Sequence, residues 1–421
     1  MHSTFVSSAI RRSLLGAVTA SAIALVAPFA HAADPDPKDW DAVLAQAKGQ
    51  TVYFNAWGGA TNINDYIAWA GGIVAERYGV TVEHVKLDDT ANAVSTVLAE
   101  KTAGRDEGGS IDLIWINGEN FAAMKDKGLM FTAGGDGWVE KLPNWSLVDF
   151  ENNATIQTDF TIPVEGLEAP WGGAKLVFFH DEAREKSGPL PDSFLELVDW
   201  SKANKGRFSY PAPPDFIGSS LLKQALSELA PEPAKLLQPV EAEEFEAMTA
   251  PLFAALDALH PNMWRSGRAY PKNYPAMLQL LADGELDIIF AFNPAAASAE
   301  IAKNTLPDTV RSFTFSGGTL GNTHFTAIPY NANAKAGALV FANFLMSAEA
   351  QAQKQDPNIW GDPTILALDR LSAEDKARFD ALDLGIATLK PDELGPKLPE
   401  PHPSWMVEIE KEWTRRYGAG N

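Results

Sequence analysis

Ile111-Asp112-Leu113-Ile114-Trp115-Ile116-Asn117-Gly118-Glu119-Asn120-Phe121 is the run on which the fold turns. Its first six residues are large and apolar except Asp112 and show no helical stripe, so they predict a strand buried on both faces of a parallel sheet. Asn117 and Gly118 then end the strand, and Glu119 opens a helical pattern. In open α/β sheets ligands sit at such carboxyl strand ends, where loop backbone and the unpaired N–H groups of the next helix are free to bond. An ordinary strand-to-helix turn would read the same way.

Working outward, Thr51 to Phe54 predicts an earlier buried strand, followed by Asn55-Ala56-Trp57-Gly58-Gly59. An indole, an amide and two glycines there allow backbone to approach a bound molecule closely. A helix through Ile67, Ala70 and Val74, a strand at Val80 to Val85 and a helix from Ala91 to Lys101 complete a β-α-β-α-β pattern. The sheet should therefore be parallel, with right-handed crossovers and with the Trp57 and Asn117 loops along one edge.

Phe131 to Asn153 predicts loop, and Pro170-Trp171-Gly172-Gly173 leading into Ala174 to His180 predicts a strand crossing between two lobes. Beyond it come a helix from Ser193, a strand from Arg207 to Tyr210, and Asp215 as cap of a helix from Ile217 to Leu229. A polar helix from Glu241 to Leu259 precedes Trp264, and Asn273 caps a further helix to Ala282. Leu286 to Phe292 is a second buried strand ending in Asn293-Pro294. Ser316 to Asn322 predicts a loop, Phe325 to Pro329 a strand, and Ala334 to Met346 an amphipathic helix. Trp405, Ile409, Trp413 and Tyr417 recur every four residues, a stripe for docking a helix rather than for holding a ligand.

The 421 residues, 46% hydrophobic and 21% charged, suit a soluble chain of two or three domains. Arg11 and Arg12, the apolar run from Leu14 to Phe29 and Ala30-His31-Ala32 predict an export signal over residues 1–32. The residues around the arginine pair match a twin-arginine signal poorly, which favours the general secretory route. No cysteine is present, so disulfides, thiolate metal sites, a cysteine nucleophile and a lipidated terminal cysteine are all excluded. A free exported protein of this kind suits a Gram-negative periplasm. Losing Arg11 and Arg12 with the leader takes the formal charge from −21 to −23, which disfavours nucleic acid and anionic membranes.

Positive signs of catalysis are missing. His84, His180, His260, His324 and His402 show no zinc-ligand spacing, and there is no nucleophile elbow, phosphate loop or dinucleotide fingerprint. No cofactor and no metal are expected. A periplasmic hydrolase or lyase using two cleft carboxylates is the alternative, because such groups meet only in space. A solute sensor that transports nothing is a third reading.

Thr51 to Gly59, Ile111 to Phe121, Pro170 to Phe178, Gly284 to Ala296 and above all Ala327-Ile328-Pro329-Tyr330-Asn331-Ala332 with Lys335-Ala336-Gly337-Ala338 and Asn343-Phe344-Leu345 resemble a known family. It is the periplasmic solute-binding component of ABC importers, in the group that includes the polyamine and thiamine binders, and the chain looks most like its YnjB-type members. The resemblance implies an α/β, two-lobed periplasmic-binding-protein-like (type II) fold with a hinge and an interlobe cleft. It implies a small polar solute, an ABC permease and its ATPase as partners, and a monomer.

The lobes it implies are residues 33–172 and 294–335 for the first, and 173–293 with 336–421 and its C-terminal helices for the second. Candidate solute contacts are Trp57, Gly59, Asn117 and Glu119 on lobe one and Trp171, Tyr210, Asp215, Ser219, Trp264 and Asn293 on lobe two. Asn322 joins them from the return loop. Pro294 and Asn322 stand where polyamine binders tend to place acidic or aromatic groups. No neighbouring tyrosine pair of the ferric-binder kind is present. The indoles and acidic balance favour a thiamine-like or quaternary ammonium solute.

Overall fold

Two apolar cores, each built from discontinuous pieces of sequence, organise the chain. They are seen in a computed structural model that describes residues 34–151, 153–184, 189–390 and 393–418; the export signal lies outside them. In order the elements are α1 (Trp40–Ala47), β1 (Thr51–Trp57), α2 (Thr61–Tyr78), β2 (Thr81–Leu87), α3 (Ala91–Thr102), β3 (Leu113–Ile116) and α4 (Glu119–Asp126). Then come β4 (Thr158–Asp159), β5 (Ile162–Pro163), β6 (Glu168–Lys175), β7 (Val177–Asp181), α5 (Phe194–Ala203), α6 (Phe216–Leu229), α7 (Ala242–Leu259), α8 (Tyr274–Ala282) and β8 (Ile288–Ala291). The last are α9 (Ala296–Ala302), β9 (Val310–Phe313), β10 (Thr319–Ala327), α10 (Lys335–Leu345), α11 (Ala348–Gln355), α12 (Ala373–Asp380), β11 (Lys397–Leu398) and α13 (Pro403–Tyr417).

Lobe one is a sheet in the order β11-β10-β3-β1-β2, with β6 also paired to β10. β1 runs parallel to β2 and β3, as the sequence pattern requires, while β10 is antiparallel to both β3 and β6. The sheet is thus mixed rather than wholly parallel. Lobe two is a three-stranded sheet, β8-β7-β9, with helices α5 to α9 around it. The chain crosses between sheets at Leu176, between β6 and β7, and returns after β9.

Several expectations need correction. β10 begins at Thr319, so Gly321 and Asn322 lie inside a strand and not in a loop. A side chain on Gly321 would meet Lys397 of β11 at 2.7 Å, so this glycine admits a neighbouring strand and does not turn the chain. Residues 207–210 form no strand; Phe208 makes a single bridge to Ile288. α10 is not amphipathic, because every residue from Ala336 to Leu345 is buried. That burial also moves the lobe boundaries. Residues 336–379 fill the first core beside Val52 and Phe54, Ala296 to Phe315 belong to the second, and Ala387 with the tail from Trp405 to Trp413 returns to lobe two. There the four-residue stripe of α13 packs inward as its spacing indicates, with Trp405, Ile409 and Trp413 all buried.

Candidate functional site

Because β1 and β3 are adjacent and parallel, Trp57 and Asn117 emerge at the same edge of the lobe-one sheet. Gly59 lies on the indole of Trp57, so close that a Cβ would sit 2.2 Å from the ring. The Asn117 amide donates to the Thr323 carbonyl of β10 at 2.7 Å. Gly118 takes a positive φ of 58°, which turns its N–H away from the strand and onto Asp159 Oδ2 at 2.6 Å. Glu119 follows in the first turn of α4, where burial raises its carboxyl above the usual range.

Lobe two meets this edge with one face of α6. Asp215, Ser219 and Lys223 are spaced by four residues and so share that face. Asp215 caps the helix by accepting from Ile217 and Gly218, and Ser219 donates to Glu410 of α13 at 2.6 Å. Lys223 pairs with Glu400 at 2.7 Å, each side chain 2% exposed, and Glu400 also accepts from the Asn322 amide at 3.1 Å. The Lys223 ammonium stands 4.0 Å over the Phe160 ring of lobe one and 5.3 Å over Phe216 of its own helix. Burial raises the carboxyls of Asp215 and Glu410, and that of Asp159 strongly, with the charges of Glu119 and Glu400 adding to the last. α13 packs on α4, so the two lobes are closed on each other here.

The position of α6 is set by Gly218. A Cβ at this residue would fall 1.8 Å from the Pro211 carbonyl oxygen, a backbone atom that cannot step aside. Gly218→Ala should therefore displace the start of α6 and cost about 1–3 kcal/mol in denaturant unfolding; an unchanged midpoint would show that the loop yields freely.

With this geometry in view, residues 73–356 match the family described as "Bacterial extracellular solute-binding protein". The chain belongs to the bacterial extracellular solute-binding family. It is also 44% identical over 382 residues to protein YnjB of Escherichia coli (strain K12), covering 90% of this chain and 94% of that one. The periplasmic binding protein AfuA of Actinobacillus pleuropneumoniae matches in fold with a TM-score of 0.61 at 12% identity, covering 88% of this chain and 99% of AfuA. The apo ferric ion-binding protein A of Pasteurella haemolytica matches with a TM-score of 0.60 at 13% identity, covering 87% and 97%. A putative spermidine/putrescine ABC transporter protein from Listeria monocytogenes gives 0.56 at 16%, covering 88% and 99%. These neighbours establish a two-lobed binding-protein fold.

In this solute-binding protein the remaining candidates lie apart from the Lys223 cluster. Trp171 is fully buried in lobe one, 5.0 Å from the Trp115 ring and 5.4 Å from Trp360. The Lys354 ammonium lies between Trp171 and Trp360, 4.0 and 4.2 Å from their faces, and donates to the Trp171 carbonyl at 2.6 Å. Asp362 pairs with it at 2.6 Å and faces His324 at 3.3 Å. Tyr210 is core in lobe two, its hydroxyl bonded to His260 Nε2 at 2.6 Å and to the Trp413 N–H at 2.8 Å. Trp264 donates to Glu285 of its own lobe. Asn293 does reach across, its amide directed at the Trp360 carbonyl at 3.4 Å.

Sequence reasoning missed Asp159, Phe160, Lys223, Glu400 and Glu410. The only signal for any of them was the four-residue step from Asp215 through Ser219 to Lys223. A cavity of about 240 Å³ lies elsewhere in lobe one, lined by Trp145, Phe150, Gln157, Glu165 and Glu168 among others. Among the described residues no three His, Asp or Glu side chains are grouped so as to hold a metal ion, and no helix is long and apolar enough to cross a membrane.

Proposed function

We propose that this chain is the solute-binding component of an ABC importer. It captures a small polar solute between its lobes in the periplasm, without altering it chemically, and hands it as a monomer to a membrane permease driven by a cytoplasmic ATPase. The observation that carries this reading is the reach of Lys223 from lobe two over Phe160 of lobe one, tied through Glu400 to Asn322 of β10. Closure is favoured only by contacts that exist in the closed state, so a solute that adds contacts to both lobes shifts the population toward it. We assign those contacts to Trp57, Asn117, Glu119, Asp215, Ser219, Asn293 and Asn322. The ABC-transporter name of the Listeria monocytogenes neighbour supports the same role.

Native mass spectrometry of protein taken from the periplasm identifies the solute. A strain lacking the gene should then lose at least about nine-tenths of its uptake at solute concentrations well below those that saturate the protein. Unchanged uptake in the deletion strain would defeat the transport role.

A further inference from the structure

Where the chain crosses between the lobes, one strand edge changes hands. β6 pairs with β10 as far as Lys175 opposite Gly321, and the Leu176 N–H still donates to the Leu320 carbonyl at 2.8 Å. In an unbroken antiparallel ladder the Leu320 N–H would return that bond to the Leu176 carbonyl. Here β7 turns away to pair with β8 and β9, and a side chain of α6 takes over the edge. The Gln224 amide accepts from the Leu320 N–H at 2.9 Å and donates to the Gly318 carbonyl at 3.2 Å. An N–H and the carbonyl two residues before it point to the same edge of a strand, so this amide stands in for the peptide of the departed strand.

The amide is held in that orientation by Glu228, one turn further along α6, which accepts from its nitrogen at 2.7 Å and from the Phe194 N–H of α5 at 2.7 Å. Gln224 is fully buried, as are Leu176 and Leu320. Both leucines pack in the core of lobe two, although Lys175 and Gly321 beside them pair in the lobe-one sheet. The lobe boundary thus falls between neighbouring residues on both crossing strands. On the far edge of β10 the Thr319 N–H donates to the Pro396 carbonyl at 3.2 Å, ahead of β11. The Lys175 ammonium ties the same tail to the outward strand, donating to the Gly395 and Pro396 carbonyls at 3.0 and 2.7 Å.

We propose that Gln224 is a positioning residue for capture, fixing the pivot between Leu320 and Gly321 and anchoring α6 to it. Its purpose rests on the capture reading given above. Gln224 follows Lys223 directly, so the helix that presents Asp215, Ser219 and Lys223 to the cleft is tied to the turning point and swings with it as one body. Without the amide, the Leu320 N–H and the Gly318 carbonyl are buried and unbonded. The turn then spreads into residues 314–318, which lie outside the strands, and the lobes no longer move about one axis.

The chain has no cysteine of its own, so Asp65→Cys on α2 and Lys202→Cys on α5, both exposed, place one spin label on each lobe of the full mature chain. Pulsed dipolar spectroscopy without added solute should give a label-to-label distance distribution at least about twice as broad in Gln224→Leu as with Gln224 in place. Leu226→Ala, a buried change on the same helix but not at the Gly318 and Leu320 bonds, controls for lost stability and should leave the width unchanged. Equal broadening in Leu226→Ala, or none in Gln224→Leu, overturns the pivot. If Gln224→Leu does not fold, hydrogen exchange of the natural chain decides. The Leu320 amide should then exchange as slowly as that of Leu176, and rapid exchange at Leu320 overturns the proposal equally. The capture reading stands or falls on uptake alone, so the two failures are told apart.

Discussion

Lys354→Met should lower the unfolding free energy by about 3–5 kcal/mol, the loss expected when one partner of a buried ion pair is removed. Lys354 is fully enclosed, and its ammonium serves the Asp362 carboxylate at 2.6 Å and the Trp171 carbonyl at 2.6 Å while lying between two indole faces. Without it Asp362, 1% exposed, keeps among the described residues only the His324 ion pair at 3.3 Å. The same pair explains Gly172, where a Cβ would fall 1.9 Å from the Asp362 carboxylate and 2.1 Å from the Lys354 ammonium. The clamp therefore grips β6 four residues before the chain crosses to lobe two. Replacing both partners by apolar residues, Lys354→Met with Asp362→Leu, should recover most of the loss, since a buried pair is close to neutral against a well-packed apolar substitute. Urea unfolding of the single and double variants decides it, and a single-variant loss under about 1 kcal/mol would mean that water reaches Asp362.

Acidification from neutrality to pH 4 should weaken the folded state through His260 by up to about 3 kcal/mol. Burial lowers its imidazole to about 4, with only a partial offset from Asp257, and the neutral ring is bonded to the Tyr210 hydroxyl at 2.6 Å. Between its ordinary value and about 4 the unfolded chain takes up a proton that the folded chain refuses, so stability falls with pH across that window. The buried carboxyls of Glu119, Asp159, Glu168, Asp215 and Glu410 act in the opposite sense, since their raised values make the folded chain the better proton binder there. The histidine contribution is isolated by comparison with His260→Gln. The stability advantage of the natural chain over this variant should shrink steadily from pH 7 to 4, and a constant difference would remove His260 from the account.

The fold was readable because its signals are local. Apolar strands at Thr51 and Leu113 stop at glycine and amide residues, and that punctuation alone sets Trp57 and Asn117 on one edge. The site was harder to read because its decisive contacts are remote. Ser219 and Glu410 are 191 positions apart, and Lys354 reaches the Trp171 carbonyl across 183. On a helix a charged residue reads as a solvated face, so nothing in the pattern singles out Lys223, Lys354 or Glu410. The indole in Pro170-Trp171-Gly172-Gly173 looked available to a ligand, yet the protein's own lysine covers it. Asn322 was placed in a loop because Gly317, Gly318 and Gly321 resemble a turn, whereas Gly321 serves the approach of β11.

The interleaving of the two cores bears on how the molecule is made. The first is sealed by residues up to Phe379 and the second by Trp405, Ile409 and Trp413, so neither interior can be completed by the amino-terminal half. A polypeptide emerging amino end first cannot finish its first interior until Phe379 is free, nor its second until Trp413 is. Synthesis and assembly are thereby staggered, which keeps the nascent chain threadable for most of its elongation and makes its final helix the stroke that commits it to shape.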